Sequence, residues 1–389
     1  MIASQKKKVR VAFIFNHSYF LGGGEISFFE LIKKLDTKWL EPVAIVPEHG
    51  EIESKLLENK IDVHTNLLPE IKSIYKGLPF IALNNFYKLL KEKEIEIIHA
   101  NGSRACLYAG IVGKILNIPI IWHVRETIKD IFWYDGFLGI LASRIICVSR
   151  SVKNKRFTRF GVLLNKKISI IYNGVDTLNF KKKSYARYKI RKALKLDGKI
   201  LFGIIGNFVP LKGQDEFLKG IAMAKQKIPD ISVKALLIGR SLDYEYHKSL
   251  IEQIEKLNLQ KDIILMDYTP KIIDIISALD VFVLPSKREG FSRAMLEAMS
   301  CGLPIIASKI EEIEEAVVNS KNGILINISD IEDMADAIIR LYKNSSLREQ
   351  MGVLNRKIVK KRFNETSHIQ GIELIYKKIV AKKSSASCD

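Results

Sequence analysis

Short apolar runs rich in β-branched residues alternate with helix-like segments along the whole chain, and this alternation constrains the fold more than any other feature. Strands that are apolar along their length and separated by helices form parallel sheets with both faces covered. The expected strands form two series, of which the first covers 9–15, 42–46, 61–65, 95–100, 118–124, 144–149 and 168–172. The second covers 200–206, 233–239, 263–267, 281–284, 304–307 and 324–326. The sequence therefore predicts an α/β fold with two consecutive domains, each built on a parallel sheet.

The chain is 389 residues long, which is enough for two domains of ordinary size. We expect an N-terminal domain over 1–178, a basic linker over 179–198, a second domain over 199–364 and a final helix over 365–389. The apolar residues of that helix recur on one side at helical spacing. They are Ile369, Ile372, Ile375, Tyr376 and Ile379.

The net charge of +19 is concentrated in one part of the chain. Residues 144–195, called the basic segment below, contain sixteen Lys or Arg and one acidic residue. Such a segment attracts nucleotide phosphates, nucleic acid or an anionic membrane surface. It is equally compatible with a solvated, lysine-rich surface. Because no recognised nucleic-acid-binding module accompanies it, we expect no specific nucleic acid partner.

The cysteines and acidic residues give no indication of a metal site. The four cysteines lack paired CxxC spacing, and Cys147 and Cys301 lie in apolar stretches. We therefore expect reduced thiols in the core of a cytoplasmic protein. No Asp-x-Asp motif stands at the end of an expected strand, as a metal-held diphosphate would suggest.

Glu289 and Glu297 flank a turn from a buried strand into a helix. Gly290, Phe291 and Ser292 lie in that turn, at the carboxyl end of the strand. Ligands bind at this edge of open parallel sheets, and the free N–H groups that open a helix favour an anion. Two glutamates at this spacing also occur by chance as solvated residues. The apolar strand and the glycine around Glu289 favour a site for a sugar nucleotide.

The stretches 285–292, 297–299 and 302–308 resemble the retaining family 4 glycosyltransferases, and the resemblance extends over nearly the whole chain. It implies two facing Rossmann-like domains, the GT-B architecture, with the final helix crossing back towards the N-terminal domain. It also implies retaining, metal-independent transfer of a sugar from a nucleotide diphosphate sugar to a glycan or lipid-linked acceptor, without a cofactor.

The resemblance assigns roles to individual residues. Glu297 would accept hydrogen bonds from the ribose hydroxyls, and Glu289 would hold sugar hydroxyls. Lys212 and the helix start at Phe291 and Ser292 would stabilise the departing diphosphate. Retaining hydrolases use two carboxylates as acid and nucleophile, but these two glutamates fit ligand holding better.

Lys212 follows the first expected strand of the second domain in the stretch that begins with Asn207. Similar enzymes usually place an arginine near the Asn207 position, and this chain does not. Either Lys212 holds the diphosphate with help from the backbone, or another cation substitutes for the arginine. Arg240 and Arg293 are the candidates for that cation.

Gly22, Gly23 and Gly24 follow the first expected strand and precede a helix. Glycine permits positive φ and a close approach of the backbone to a ligand. The spacing is not that of the dinucleotide fingerprint, and a plain flexible turn is the alternative. The resemblance implies a loop that contacts the donor phosphate and the acceptor.

Two histidines end expected strands of the first domain. His123 is expected to face the crevice, and in similar enzymes a histidine here approaches the transferred sugar. His99 ends the neighbouring strand in the same way, and the alternative is that it has only a structural role.

In the second domain, Tyr268 either stacks on the nucleotide base or packs against neighbouring residues. The Asn-Gly turn at Asn173 favours a role in hinge and cleft shaping.

The aromatic stretch 131–134, with Phe137 and Leu138, lies beside the basic segment. We expect a peripheral enzyme on the inner face of the cytoplasmic membrane that builds surface polysaccharide or glycolipid. The alternative is that these aromatic residues belong to the domain core. Two other functions remain open: a sugar-nucleotide epimerase of similar two-domain fold, and a basic nucleic-acid-binding protein.

Overall fold

The computed structural model describes residues 7–70, 78–127, 132–159 and 161–386. Its strands are β1 (Val9–Ile14), β2 (Leu40–Val46), β3 (Asp62–Thr65), β4 (Ile97–Asn101), β5 (Ile120–Val124), β6 (Arg144–Cys147), β7 (Ile168–Ile170), β8 (Ile200–Ile205), β9 (Val233–Gly239), β10 (Ile263–Asp267), β11 (Val281–Leu284), β12 (Ile305–Ser308) and β13 (Gly323–Ile326). Its α-helices are α1 (Gly23–Lys33), α2 (Glu51–Glu58), α3 (Leu78–Glu92), α4 (Ser103–Ile115), α5 (Phe132–Leu141), α6 (Arg150–Arg156), α7 (Gly161–Leu164), α8 (Ser184–Ala193), α9 (Gln214–Lys227), α10 (Tyr244–Lys256), α11 (Ile272–Ala278), α12 (Arg293–Ser300), α13 (Glu311–Glu314), α14 (Ile331–Lys343), α15 (Ser345–Arg362) and α16 (Glu365–Ala386).

The chain divides into two compact units. Unit 1 comprises Met1–Tyr172 together with His368–Asp389, and unit 2 comprises Asn173–Ser367. Each unit contains one parallel sheet with helices on it, so the prediction of two Rossmann-like α/β domains is confirmed. All thirteen predicted strands are present, with ends that differ from the prediction by no more than two residues.

The sheet of unit 1 has seven strands in the order β3-β2-β1-β4-β5-β6-β7. The chain builds outward from β1 to β3 and then returns to β4 on the other side of β1, so the order reverses between β1 and β4. Helix α16 completes the core, because Ile372, Ile375, Tyr376 and Ile379 pack in one buried cluster with residues of β1 and α1. The predicted apolar side of the last helix is therefore the side that it buries.

The sheet of unit 2 has six strands in the order β10-β9-β8-β11-β12-β13. Here the order reverses between β8 and β11, which pair in parallel. The buried core includes Phe202, Phe217 and Val283, with Met334 and Ile338 of α14 packed on them. The crevice of an open parallel sheet lies at the carboxyl ends of the strands beside such a reversal.

The segment 179–198, for which we predicted a basic linker, contains α8 and lies within unit 2. Arg187 and Arg191 of α8 form ion pairs of 2.5 and 2.9 Å with Asp280, which precedes β11. Burial raises the pKa of Asp280, but the N–H of Leu201 and the two guanidinium groups outweigh burial and hold that pKa below its ordinary value. Part of the basic segment therefore holds unit 2 together.

Three cysteines, Cys106, Cys147 and Cys301, are buried free thiols, whereas Cys388 lies outside the described residues. Burial raises the pKa of both Cys147 and Cys301 to about 12. A thiol that stays protonated is a poor nucleophile and a poor metal ligand. These cysteines therefore serve as core residues, as the sequence predicted for Cys147 and Cys301.

Candidate functional site

Lys212 and Glu289, which are 77 residues apart in sequence, meet where the strand order of unit 2 reverses. Lys212 ends a short 3-10 turn after β8, and Glu289 lies in the loop after β11. The distance from Lys212 Nζ to Glu289 Oε1 is 2.6 Å. The Lys212 side chain is 27% exposed and the Glu289 side chain is 9% exposed. The pair is therefore mostly enclosed, with its cation still accessible to a ligand.

The backbone fixes this pairing. The N–H of Lys287 donates to the carbonyl of Leu211 at 2.9 Å, which joins the two loops directly. Gly213 has φ +66°, and a Cβ on it would lie 2.1 Å from the carbonyl oxygen of Pro285. Only glycine combines a left-handed conformation with so close an approach of another chain segment. Gly213 therefore allows the loop after β8 to lie against the loop after β11.

Glu297 is placed on α12 as predicted, and it is buried. Its Oε1 accepts a hydrogen bond of 2.6 Å from Arg293 Nε one turn earlier. Ser292 caps the helix, because its Oγ accepts from the N–H of Met295 at 3.3 Å. Arg293 is a candidate for the cation that replaces the arginine usual near the Asn207 position, and here it is paired with Glu297.

Phe291 contributes its backbone rather than its ring to this region. The ring is 4% exposed and lies 5.2 Å from that of Phe363, between ring centroids. The carbonyl oxygen of Phe291 accepts from Asn173 Nδ2 at 2.8 Å. Asn173, the first residue of unit 2, is therefore tied to the start of α12.

Asn207 and Tyr268 follow β8 and β10 and lie at the same edge of the sheet. The carbonyl oxygen of Asn207 accepts from Gln214 Nε2 at 2.9 Å, which holds the loop onto the start of α9. Tyr268 is 36% exposed, and the guanidinium of Arg240 lies 5.1 Å from its ring centroid. This is a cation–π contact. Arg240, which follows β9, is therefore the second candidate cation at this edge.

The glycine loop and His123 belong to unit 1. Gly22 is extended at φ −168°, and Gly23 and Gly24 lie in the first turn of α1, so none of the three uses the positive φ that glycine permits. Gly24 lies close to Arg125, because a Cβ on it would be 3.3 Å from Arg125 Cδ. Arg125 in turn reaches His123, with 3.3 Å between Nη2 and Nδ1.

His123 ends β5, and its side chain is fully buried. Burial lowers its pKa well below the ordinary value, and the charge of Arg125 lowers the pKa further. His123 is therefore a neutral imidazole. Its Nε2 has no hydrogen-bond partner among the described residues. A buried polar atom without a partner costs about 1–3 kcal/mol, so this atom is a candidate ligand contact.

Sequence reasoning missed the surroundings of His123. His99 Nε2 lies 3.1 Å from His123 Nδ1, and His99 Nδ1 lies 2.6 Å from the hydroxyl of Tyr376. In the sequence, Tyr376 is one of several apolar residues on one side of the final helix. A buried tyrosine hydroxyl needs a partner, so a tyrosine among isoleucines was the available signal.

Among the described residues, no three His, Cys, Asp or Glu side chains form a group able to hold a metal ion.

Two family models match the chain and together cover most of it. The model described as Glycosyltransferase Family 4 matches residues 21–178. The model described as Glycosyl transferases group 1 matches residues 186–357. Each match falls on one of the two parallel sheets.

The chain is similar to curated proteins and to solved structures. It is 29% identical to the UDP-Gal:alpha-D-GlcNAc-diphosphoundecaprenol alpha-1,3-galactosyltransferase of Escherichia coli, over 78% of this chain and 80% of that protein. It is 26% identical to the capsular polysaccharide biosynthesis glycosyltransferase CapM of Staphylococcus aureus, over 86% and 89% respectively. The structure of Anabaena HepE in complex with UDP and glucose matches with a TM-score of 0.83 at 22% identity, over 95% of this chain and 99% of that one. That structural match supports the fold.

The packing of Gly213 predicts a difference between two glycines of the same backbone class. Gly213→Ala combines left-handed strain with a collision against Pro285, whereas Gly198→Ala, at φ +68°, meets nothing within 4 Å. We expect Gly198→Ala to lower the free energy of unfolding by about 1–2 kcal/mol, and Gly213→Ala to lower it clearly more. Urea unfolding measures both. Equal losses would show that Pro285 does not constrain the loop.

Proposed function

The chain belongs to the group 1, family 4 glycosyltransferases, and from this membership we propose that it moves a sugar from a nucleotide diphosphate sugar to a glycan or lipid-linked acceptor. The observation that carries the proposal is the Lys212–Glu289 pair, at 2.6 Å, where the strand order of unit 2 reverses. A cation beside a carboxylate suits a ligand that has a diphosphate at one end and hydroxyls at the other.

Lys212 is the group proposed to stabilise the leaving diphosphate. An ammonium group has three donors, and Glu289 is the only side chain that Lys212 hydrogen-bonds within the described part of the chain. Lys212 is therefore able to keep Glu289 and still donate to a phosphate oxygen. Negative charge grows on the diphosphate as the sugar leaves, so a fixed positive charge there favours the transition state over the ground state.

The two glutamates are proposed to hold hydroxyls. An ionised carboxylate has about four acceptor positions, so it is able to accept from a neighbouring cation, as Glu289 does from Lys212 and Glu297 from Arg293, and from a ligand hydroxyl as well. The same cations offset the repulsion between the carboxylates and the diphosphate. We propose that Glu289 accepts from the sugar and that Glu297 accepts from the ribose.

The division of roles predicts different kinetic effects. We expect Lys212→Ala to lower kcat by about 100- to 1000-fold, the usual cost of removing a group that stabilises developing charge. Glu297→Gln is expected mainly to weaken donor binding, by about 10-fold or more, because a charge-assisted acceptor is lost. Lys219→Ala is the control, because Lys219 forms a more exposed ion pair with Glu216 on α9. Steady-state kinetics with varied donor measure all three. Unchanged turnover of Lys212→Ala would contradict the assignment.

We propose that transfer retains the configuration of the sugar and needs no metal ion, because Lys212 supplies the positive charge. The pairing of both glutamates with cations supports a holding role for them rather than that of a nucleophile. NMR of the first product is expected to show the anomeric configuration of the donor, and turnover is expected to persist in EDTA. An inverted product, or activity that only a metal ion restores, would contradict these two proposals respectively.

The acceptor distinguishes transfer from sugar-nucleotide epimerisation. An epimerase would convert the donor without any acceptor, whereas a transferase depends on one for turnover. The Escherichia coli relative is named for a diphosphoundecaprenol-linked acceptor, and the Staphylococcus aureus relative for capsular polysaccharide. We therefore favour a glycan or lipid-linked acceptor from surface polysaccharide or glycolipid synthesis.

An exposed apolar surface in unit 1 supports work at a membrane. It consists of Trp133 and Ile140 on α5 and Val162 and Leu163 on α7, which are between 61% and 88% exposed. The two helices are adjacent, because Lys167, just after α7, donates to the carbonyl of Gly139 at 3.0 Å. We call these four residues the α5–α7 surface. None of the described helices combines the length and hydropathy that a membrane crossing requires.

The predicted aromatic patch is only partly exposed. Phe137 is 46% exposed, whereas Leu138 is fully buried and belongs to the core. Ile131 and the side chain of Phe132 lie outside the described residues. Exposed cations of the basic segment, Arg159 and Lys166, flank α7 in sequence. Apolar side chains beside cations suit the interface of an anionic bilayer, so we propose peripheral binding at the inner face of the cytoplasmic membrane.

Liposome flotation tests the α5–α7 surface. We expect the protein to float with vesicles that contain anionic lipid at low salt and to be released at high salt. The double variant Trp133→Ser with Leu163→Ser should lose most of this binding. Phe80→Ser, which removes a 64% exposed aromatic from α3, is the matched control and should bind normally. Wild-type protein that shows no salt-sensitive binding would remove the membrane proposal.

A further inference from the structure

A chain of buried polar side chains links α16 to the end of β5 in unit 1. The hydroxyl of Tyr376 lies 2.6 Å from His99 Nδ1, and His99 Nε2 lies 3.1 Å from His123 Nδ1. Tyr376 and His99 are fully buried, as is His123. We call these three residues the Tyr376–His99–His123 chain. The guanidinium of Arg125 adjoins its far end, with 3.3 Å between Nη2 and His123 Nδ1.

The hydrogens in this chain are fixed by what each group is able to donate. A guanidinium only donates, so His123 Nδ1 has to be an acceptor. His99 Nε2 faces the same acceptor and therefore carries a hydrogen. A neutral imidazole has one N–H, so His99 Nδ1 accepts, and the hydroxyl of Tyr376 donates to it. The proton of His123 is then on Nε2.

The opposite direction is unfavourable at both ends. A proton on His123 Nδ1 would face the N–H groups of Arg125, so two donors would meet at 3.3 Å. His99 would then donate to the oxygen of Tyr376, whose own hydrogen would lose its acceptor. Asn101 orients Arg125 independently of the histidines, because Arg125 Nε donates to Asn101 Oδ1 at 2.5 Å.

The titration of the three groups is consistent with these roles. Burial lowers the pKa of His99 well below its ordinary value, and the charges of Arg125 and His368 lower it further. Burial lowers the pKa of His123 in the same way, and burial raises the pKa of Tyr376 well above its ordinary value. His368 on α16 also faces His123, with 6.5 Å between ring centroids, and its Nδ1 lies 2.7 Å from the carbonyl oxygen of Tyr172. Both histidines of the chain therefore stay neutral, and Tyr376 keeps its hydrogen.

We propose that Tyr376 and His99 are positioning residues that hold His123 in the tautomer with its proton on Nε2, so that this N–H donates to an oxygen of the bound substrate. The proposal rests on the proposed transferase function for its substrate. Nε2 of His123 is buried and has no partner among the described residues, so a ligand oxygen would satisfy it. With its Nδ1 lone pair occupied, His123 acts as a hydrogen-bond donor and not as a general base.

Tyr376→Phe tests the chain, because it removes one hydroxyl and leaves the ring in the core. Without that hydroxyl, Nδ1 of His99 has no partner whether or not it carries a hydrogen, so only Arg125 still favours the original direction of the chain. Nitrogen-15 NMR of histidine-labelled protein reports which ring nitrogen carries the hydrogen. We expect His123 to be protonated on Nε2 in the wild type and to lose this single state in Tyr376→Phe. We also expect kcat to fall by about 10- to 100-fold, with the donor KM within about twofold.

Tyr108→Phe is the matched control. The hydroxyl of Tyr108 donates to the carbonyl of Pro69 at 2.8 Å, so this variant also loses a hydrogen bond of a mostly buried tyrosine in unit 1. It should lose comparable stability and keep both the His123 tautomer and kcat. A loss of kcat in both variants alike would reduce Tyr376 to a structural residue.

The two readouts separate the possible failures. A wild-type His123 protonated on Nδ1 would overturn the proposal whatever the enzyme does. An unchanged kcat in Tyr376→Phe, with the His123 tautomer altered, would overturn the catalytic role of the chain. Absence of transfer by the wild type with every donor would count against the proposed function, while the NMR spectra would still decide whether Tyr376 sets the tautomer.

Discussion

The reversal of strand order in each parallel sheet is the constraint on which the candidate site depends. At a reversal, the loops that follow two neighbouring strands diverge to opposite faces of the sheet and leave a crevice at the carboxyl edge. In unit 2 the reversal lies between β8 and β11, and it brings Lys212 to Glu289. In unit 1 it lies between β1 and β4, and the glycine loop follows β1. The chemistry proposed for each residue follows from its place at one of these edges.

Ion pairs occur in both the core and the candidate site, and their surroundings distinguish them. Arg156 and Asp135 are paired at 2.7 Å with side chains that are 3% and 1% exposed, so this pair is structural. Arg187 and Arg191 donate to backbone carbonyls as well as to Asp280. Their N–H groups are therefore engaged within unit 2. Lys212 keeps a partly exposed ammonium with a single side-chain partner among the described residues. That difference is why we assign a ligand to Lys212 and a structural role to the arginines of α8.

Much of the fold could be predicted from the sequence, because buried parallel strands are continuous apolar runs that end at turn residues. The positions of Lys212, Glu289 and Glu297 followed from their places after such strands. The pairing of Lys212 with Glu289 could not be predicted, because it depends on a backbone contact between Gly213 and Pro285 across two loops. The contact between His99 and Tyr376 could not be predicted either, because the two residues are 277 apart in sequence. Tyr376 also fits the helical spacing of the apolar residues around it, so its hydroxyl does not stand out. The conformation of the glycine loop could not be predicted, because glycine permits positive φ without requiring it, and Gly22, Gly23 and Gly24 do not adopt it.

The central claim is that Lys212 binds the diphosphate and Glu289 binds hydroxyls of the sugar, on the two sides of the bond that is broken in an activated sugar. The most direct measurement is a crystal structure of the protein with the nucleotide sugar that gives the strongest saturation-transfer NMR signal. The account predicts a diphosphate oxygen within about 3.2 Å of Lys212 Nζ and a sugar hydroxyl at the same distance from Glu289. A nucleotide sugar bound with its diphosphate away from Lys212, and with Glu289 still paired and out of contact with the sugar, would contradict it.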